Sequence, residues 1–178
     1  MKTIKYLVAA FVGLLLAACS QDQPVDSAFY DLTKGNEQEV LINYAANTLL
    51  SMYVAEIAAQ NAGSEKVREF ASSIAKDHRE IYGELEKLAA GRNIRLPQMF
   101  MEKQAEVLKR MRAREGASAD KAFVNIVAVY DRSFGKEMEQ VMRGKAADEG
   151  MLEFARLVDA QRAAHQNKAN MLKAQISA

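Results

Sequence analysis

Residues 67–88, VREFASSIAKDHREIYGELEKL, decide the fold. Val67, Phe70, Ile74, Ile81, Leu85 and Leu88 recur at the spacing that lines one face of an α-helix. The stripe is broken at one turn, where Asp77 and His78 stand in place of apolar residues. His78 is one of only two histidines in the chain. A polar pair in a core-facing stripe must find partners, because an unpaired buried polar group costs on the order of 1–3 kcal/mol. It is either a ligand pair inside a helical bundle or a histidine that packs and hydrogen-bonds.

The rest of the chain repeats the helical pattern. It has 178 residues, with two prolines and nine glycines, and the remainder is rich in strong helix formers. A first helix is expected over 37–62, with Leu41, Tyr44, Ala45, Thr48, Met52, Ala55 and Ala59 on one side. Asn36 and Glu39 have the spacing of a reciprocal cap, Gly63 ends the helix, and Ser64 is placed to cap the next. So short a join forces the two helices to lie antiparallel. The second helix stops at Gly91. A third, shorter one is expected over 98–114, with Met101, Ala105, Leu108 and Met111 aligned. Gly116 closes it, and Ser118 can cap a fourth helix holding Phe123, Val127, Tyr130, Phe134, Met138 and Val141. After a turn over 144–150 comes a fifth, with Met151, Ala155, Val158, His165, Ala169, Leu172 and Ile176. Four long helices and one short one predict an all-α, up-down four-helix bundle, residues 36–178, with the short helix as crossover between the second and third long ones.

The start of the chain reads as an export signal over residues 1–18. Lys2 and Lys5 precede an apolar run from Tyr6 to Leu16 and the small pair Ala17-Ala18. That run is too short to span a bilayer, which needs roughly 20 residues. Leu16-Ala17-Ala18-Cys19 resembles a bacterial lipobox, and Cys19 is the only cysteine. The resemblance implies that Cys19 is acylated, with chains such as palmitate, and becomes the first residue of the mature protein. Ser20, where inner-membrane retention favours Asp, implies sorting to the outer membrane. Residues 19–35 then form the lipidated cysteine and a polar tether, in which Phe29, Tyr30 and Leu32 are candidates for a short packing turn.

Charge argues against nucleic acid as the main partner. Loss of Lys2 and Lys5 leaves 22 basic residues against 23 acidic ones, a formal charge of −1. Nucleic acid binding needs a clustered basic surface, and no run of Lys or Arg exceeds two, although Lys109, Arg110, Arg112 and Arg114 crowd one segment. Cations there complement the dipole of a helix C-terminus.

The motifs VREFASSIAKDH and LEKLAAGRNIRLP, with His165 near the other end, resemble the bacterial domain of unknown function 4142 family, whose members are described as predicted outer-membrane proteins with a ferritin-like helical fold. The resemblance covers about Asn43 to Lys173. It implies a glutamate in other members at Ser51, and a second Asp-His pair where this chain has Asp131 and Arg132. Asp77, His78, Asp131 and His165 are kept while one carboxylate and one imidazole are missing.

The spacing of known di-iron bundles is absent. Those sites use Glu-x-x-His motifs, which put a carboxylate and an imidazole on one helix face. Here Ala75 precedes His78 and Arg162 precedes His165. A looser site for iron, zinc or manganese would use Asp77, His78, Asp131 and His165, with Glu56 as a further candidate on a neighbouring level. The alternative is two partly buried neutral imidazoles satisfied by carboxylates or backbone groups. No constellation of nucleophile, base and orienting group is present. The expectation is therefore a lipoprotein anchored in the outer membrane through Cys19. Its domain faces the periplasm and acts as a non-enzymatic interaction module on an unknown envelope protein, with no cofactor required and no nucleic acid partner. The rival expectation is a ferritin-like metal-binding or redox protein.

Overall fold

A computed structural model describes residues 37–128 and 148–176. The signal over 1–18, Cys19, the tether, Asn36, Asp131, Arg132, the stripe from Tyr130 to Val141 and residues 144–147 of the predicted turn lie outside the described residues. Those described are all-α. Helix α1 spans Glu37–Asn61, α2 Glu65–Ala90, α3 Glu102–Arg112 and α5 Glu149–Ile176, and the described part of α4 covers 116–128. None of them is long and apolar enough to cross a membrane.

Helices α1 and α2 form an antiparallel pair, as the short join predicts. Arg79 on α2 reaches Glu56 on α1 at 2.6 Å, and Leu41 near the start of α1 shares a cluster with Ile81 and Leu85 near the end of α2. Helix α5 packs on α2, and α3 lies along the outside of α1. Gln104 of α3 donates to the Ala46 carbonyl at 3.3 Å, and Asn61 donates to the Arg114 carbonyl at 3.2 Å. The alanine-rich character of α1 follows, because the helix is covered by the core on one side and by α3 on another.

Several helix ends differ from the sequence expectation. Ser64 occupies the N-cap position of α2, but its side chain makes no capping bond. Asp120, reaching in from α4, holds the turn that enters the helix instead: one oxygen accepts from Gly63 N–H at 2.9 Å, and its carboxylate accepts from Ser64 N–H at 3.1 Å. Gly63 and Gly116 meet so closely that a Cβ on Gly63 would stand 2.9 Å from Gly116 Cα. Gly116 adopts φ +58°, the left-handed region that favours glycine. Helix α4 is already running from this glycine, so Ser118 lies inside it.

At the far end of α2, Gly91 stays right-handed and Asn93 takes the left-handed turn at φ 56°. Ile94 N–H then returns to Ala89 O at 2.9 Å, and Ile94 packs back on the core, the arrangement of a Schellman-type stop. Helix α3 begins at Glu102, not Gln98. Tyr82 holds the Pro97 carbonyl at 3.0 Å, and the Gln104 side chain accepts from Met101 N–H at 3.3 Å. The later start changes the buried face to Gln104, Val107, Leu108 and Met111, leaving Met101 and Ala105 exposed. By its eleven residues α3 is about 16 Å long at about 1.5 Å per residue, shorter than expected for a crossover. Gly150 is likewise inside α5, which Asp148 caps by accepting from Met151 N–H at 2.9 Å. That bond, aided by Arg92, lowers the Asp148 carboxyl below its ordinary value.

The apolar core falls into two clusters. One contains Leu50, Val54, Phe70, Ile74, Phe123 and Leu172. The other contains Leu41, Tyr44, Ile81, Leu85, Phe154 and Val158, with Tyr44 and Phe154 in edge-to-face contact at 5.3 Å. On α1 the interruption falls at Asn47 and Thr48, on α2 at His78, and on α5 at His165, all four buried. A polar layer thus divides the core at one level.

Candidate functional site: a buried polar layer

The layer is built by helix periodicity. His78 and Asp77 are adjacent on α2, so their side chains diverge by about 100° around the axis. His78 turns into the core and is only 4% exposed, while Asp77 turns toward α5. His165 of α5 donates from Nε2 to Asp77 Oδ2 at 2.8 Å. The two imidazoles lie nearly parallel, with centroids 5.6 Å apart and planes at 16°. Phe70 meets the His165 ring edgewise at 6.4 Å.

The protonation of His78 follows from its contacts. A carbonyl can only accept, so the 2.9 Å contact to Ile74 O requires Nδ1 to carry the hydrogen. In the neutral ring the lone pair is then on Nε2. Burial lowers its pKa from 6.5 to about 4, with a further lowering from His165, against smaller opposing effects of the Ile74 carbonyl and Asp77. His78 is therefore a neutral imidazole at pH 7.

A cavity of about 10 Å³ lies beside His78, lined also by Ser51, Val54, Ile74, Phe123, Ile126 and Val127. Its volume is at the lower limit for a single water. Ser51 Oγ and Thr48 Oγ1 are buried and have no hydrogen-bond partner. The position at which the family resemblance implies a glutamate thus opens onto the same space as His78. Replacing Ser51 with alanine removes a hydroxyl that makes no bond. We expect Ser51→Ala to keep or raise stability by up to about 1 kcal/mol in urea denaturation. A loss above that size would show that the hydroxyl has a partner.

Of the five candidate metal residues, the fold brings together Asp77, His78 and His165. Glu56 stands eight residues along α1 from Thr48, about 12 Å at about 1.5 Å per residue, and is paired with Arg79 near the surface; Asp131 lies outside the described residues. Among the described residues, no three His, Cys, Asp or Glu side chains are grouped to hold a metal ion. Sequence reading missed Asp120, whose role depends on a contact 56 residues away, and the polar layer as a unit. A clue to the layer was present in the positions of Asn47, Thr48, His78 and His165, each of which interrupts an apolar stretch of its own helix. A second opening of about 390 Å³, between the end of α2 and the start of α5, is a surface groove with Leu88, Phe154 and Leu157 among charged residues.

An all-α protein with a buried pair of histidines, one of them held by a half-buried aspartate, is the class these features define. The chain matches the family described as Domain of unknown function (DUF4142) over residues 24–172, and it belongs to that family. Neither a curated protein nor a solved structure matches it.

Proposed function

We propose that this protein is a cell-envelope lipoprotein, anchored in the outer membrane through Cys19, whose periplasm-facing domain is a non-enzymatic interaction module. Its helices are read as a ferritin-like up-down bundle with α3 as the short crossover. The observation that carries the non-enzymatic reading is the use of the buried polar groups on one another. Asp77 accepts from His165, and His78 donates to the carbonyl of its own helix. Such contacts satisfy a core and fix the level at which helices pair, one recognised use of buried polar groups. The lipobox with its single cysteine supports the anchor.

The metal-binding alternative fits the described residues poorly. Asp77 Oδ2 is already hydrogen-bonded to His165, and two stacked imidazole planes direct their in-plane nitrogen lone pairs side by side, not toward one point. Elemental analysis of the full-length protein, purified without chelators, separates the two readings. We expect no stoichiometric iron, zinc or manganese. Stoichiometric metal that disappears in His78→Ala/His165→Ala, with helicity kept, would establish the alternative. For the anchor, Cys19→Ser is expected to abolish acylation, seen as loss of the lipid mass, and to release the protein from membranes. Unchanged processing and membrane association would refute it.

A further inference from the structure

We propose that the run from Phe29 to Leu32, FYDL, docks in the groove between the end of α2 and the start of α5 and straps the tether to the domain. The docking goes beyond the reading above, and only its consequence at the membrane rests on the lipid anchor. The groove has an apolar floor of Leu88, Phe154 and Leu157, and Leu157 is 37% exposed. Gly150 keeps that floor open, since a Cβ there would stand 3.3 Å from Leu88 Cδ1. At about 390 Å³ the groove is more than twice the roughly 150 Å³ that takes up a benzene ring. The two cations on its rim are already matched, Lys87 with Glu84 at 2.7 Å and Arg92 with Asp148. The groove is therefore not built for an anion, and what it leaves uncovered is hydrocarbon, which calls for an apolar occupant.

Position and composition select this run as the occupant. Leu88 packs on the cluster that contains Leu41, and Phe154 belongs to it, so the groove lies at the end of the domain where α1 begins. Helix α1 packs on α2 and α2 on α5, which sets the α2–α5 seam about one helix diameter, roughly 10–12 Å, to the side of α1. The five residue steps from Leu32 to Glu37 reach up to about 17 Å, and the eight from Phe29 up to about 27 Å. Gly35 and Asn36 are residue types that let a chain reverse. Between Cys19 and Glu37 the aromatic residues are Phe29 and Tyr30, and they stand with Leu32 in a stretch that is otherwise mainly polar or small. The family match begins at residue 24 and so takes in this run ahead of α1.

Docking shortens the tether. With the run in the groove, residues 20–28 alone lie between Cys19 and the domain, a reach of up to about 30 Å in place of roughly 55 Å for residues 20–36. The domain is thereby held with its groove end near the membrane, and the apolar floor is covered.

The chain contains no tryptophan, so Tyr30→Trp introduces a single reporter, and Gln23→Trp in the same tether serves as reference. Both are made in the full-length lipidated protein in phosphatidylcholine vesicles. The reporter at 30 should emit to the blue of that at 23. Aqueous iodide should quench it at least about threefold less, as expected for a side chain about 70–90% buried. Leu157→Asp, on the groove floor and outside the core clusters, should restore quenching at 30 to the reference level with helicity unchanged. Equal quenching at 30 and 23 without that change would refute the docking and leave the anchor standing. Shielding at 30 that survives Leu157→Asp would place the run elsewhere on the domain. Quenching by brominated lipid would place it in the bilayer, and shielding lost on diluting the protein in the vesicles would place it on a second copy. Each of these three results overturns the proposal. If the protein does not float with the vesicles the anchor fails, and the same comparison in free solution still decides the docking.

Discussion

Between pH 6.5 and about 4 the domain is expected to lose roughly 3 kcal/mol of stability through His78 alone. The unfolded chain takes up the proton near 6.5, whereas the folded chain resists it until about 4. Over that interval the unfolded state binds more protons, so stability falls as the pH falls. Above 6.5 the contribution is fully present, and below about 4 no further loss comes from this residue. Asp148 works in a lower window: its carboxyl is held below its ordinary value of 3.8, so its contribution is lost only as the pH falls through that range. Urea denaturation of the parent and of His78→Leu at a series of pH values checks this. The slope between 6.5 and 4 should be largely absent in the variant, whatever its stability at pH 7. An equal slope in both proteins would mean that His78 is protonated in the folded state.

Asp120→Ala is expected to cost about 2–4 kcal/mol, a large part of the stability of a domain this size. The carboxylate is buried and accepts from both Gly63 N–H and Ser64 N–H. It also places negative charge at the N-terminus of α2, where the helix dipole favours it. Removal leaves two donors without their acceptor in a turn that has no room to rearrange, because Gly63 backs onto Gly116. Asp120→Asn retains an acceptor oxygen without the charge and should lose about half as much. The measurement is the urea midpoint at constant m-value. A change below about 0.5 kcal/mol in Asp120→Ala would show that water replaces the carboxylate.

The two predictions concern residues of different legibility. His78 could be found from sequence, because it interrupts a stripe whose period is fixed by the α-helix itself. Its burial followed from Ile74, Ile81 and Leu85 on either side. That it is stacked on His165, and that Asp77 belongs to His165, did not follow. Both depend on how α5 is rotated and shifted against α2, and helix periodicity says nothing of either. Asp120 gave no sequence signal at all. Ser64 had the local chemistry of a cap, but its side chain makes no capping bond, and the turn before α2 is held by a carboxylate from α4 on the Gly63 and Ser64 amides.

The sequence by itself determined that the chain is all-helical, that α1 and α2 are antiparallel, and that Leu41, Tyr44, Phe70, Ile74, Phe123, Val158 and Leu172 face inward. These follow from short-range rules: the helical repeat, and a join too short for any other geometry. It also determined membership of its family, through local motifs around Asp77 and His78. Tertiary structure decided which helix end is capped by which residue and the late start of α3, which turned Met101 outward. It also decided the alignment of Asn47, Thr48, His78 and His165 into one layer. The physical reason is common to all three. Each is set by the relative shift and rotation of elements far apart in sequence, where packing and a few buried hydrogen bonds outweigh the preference of any single stretch.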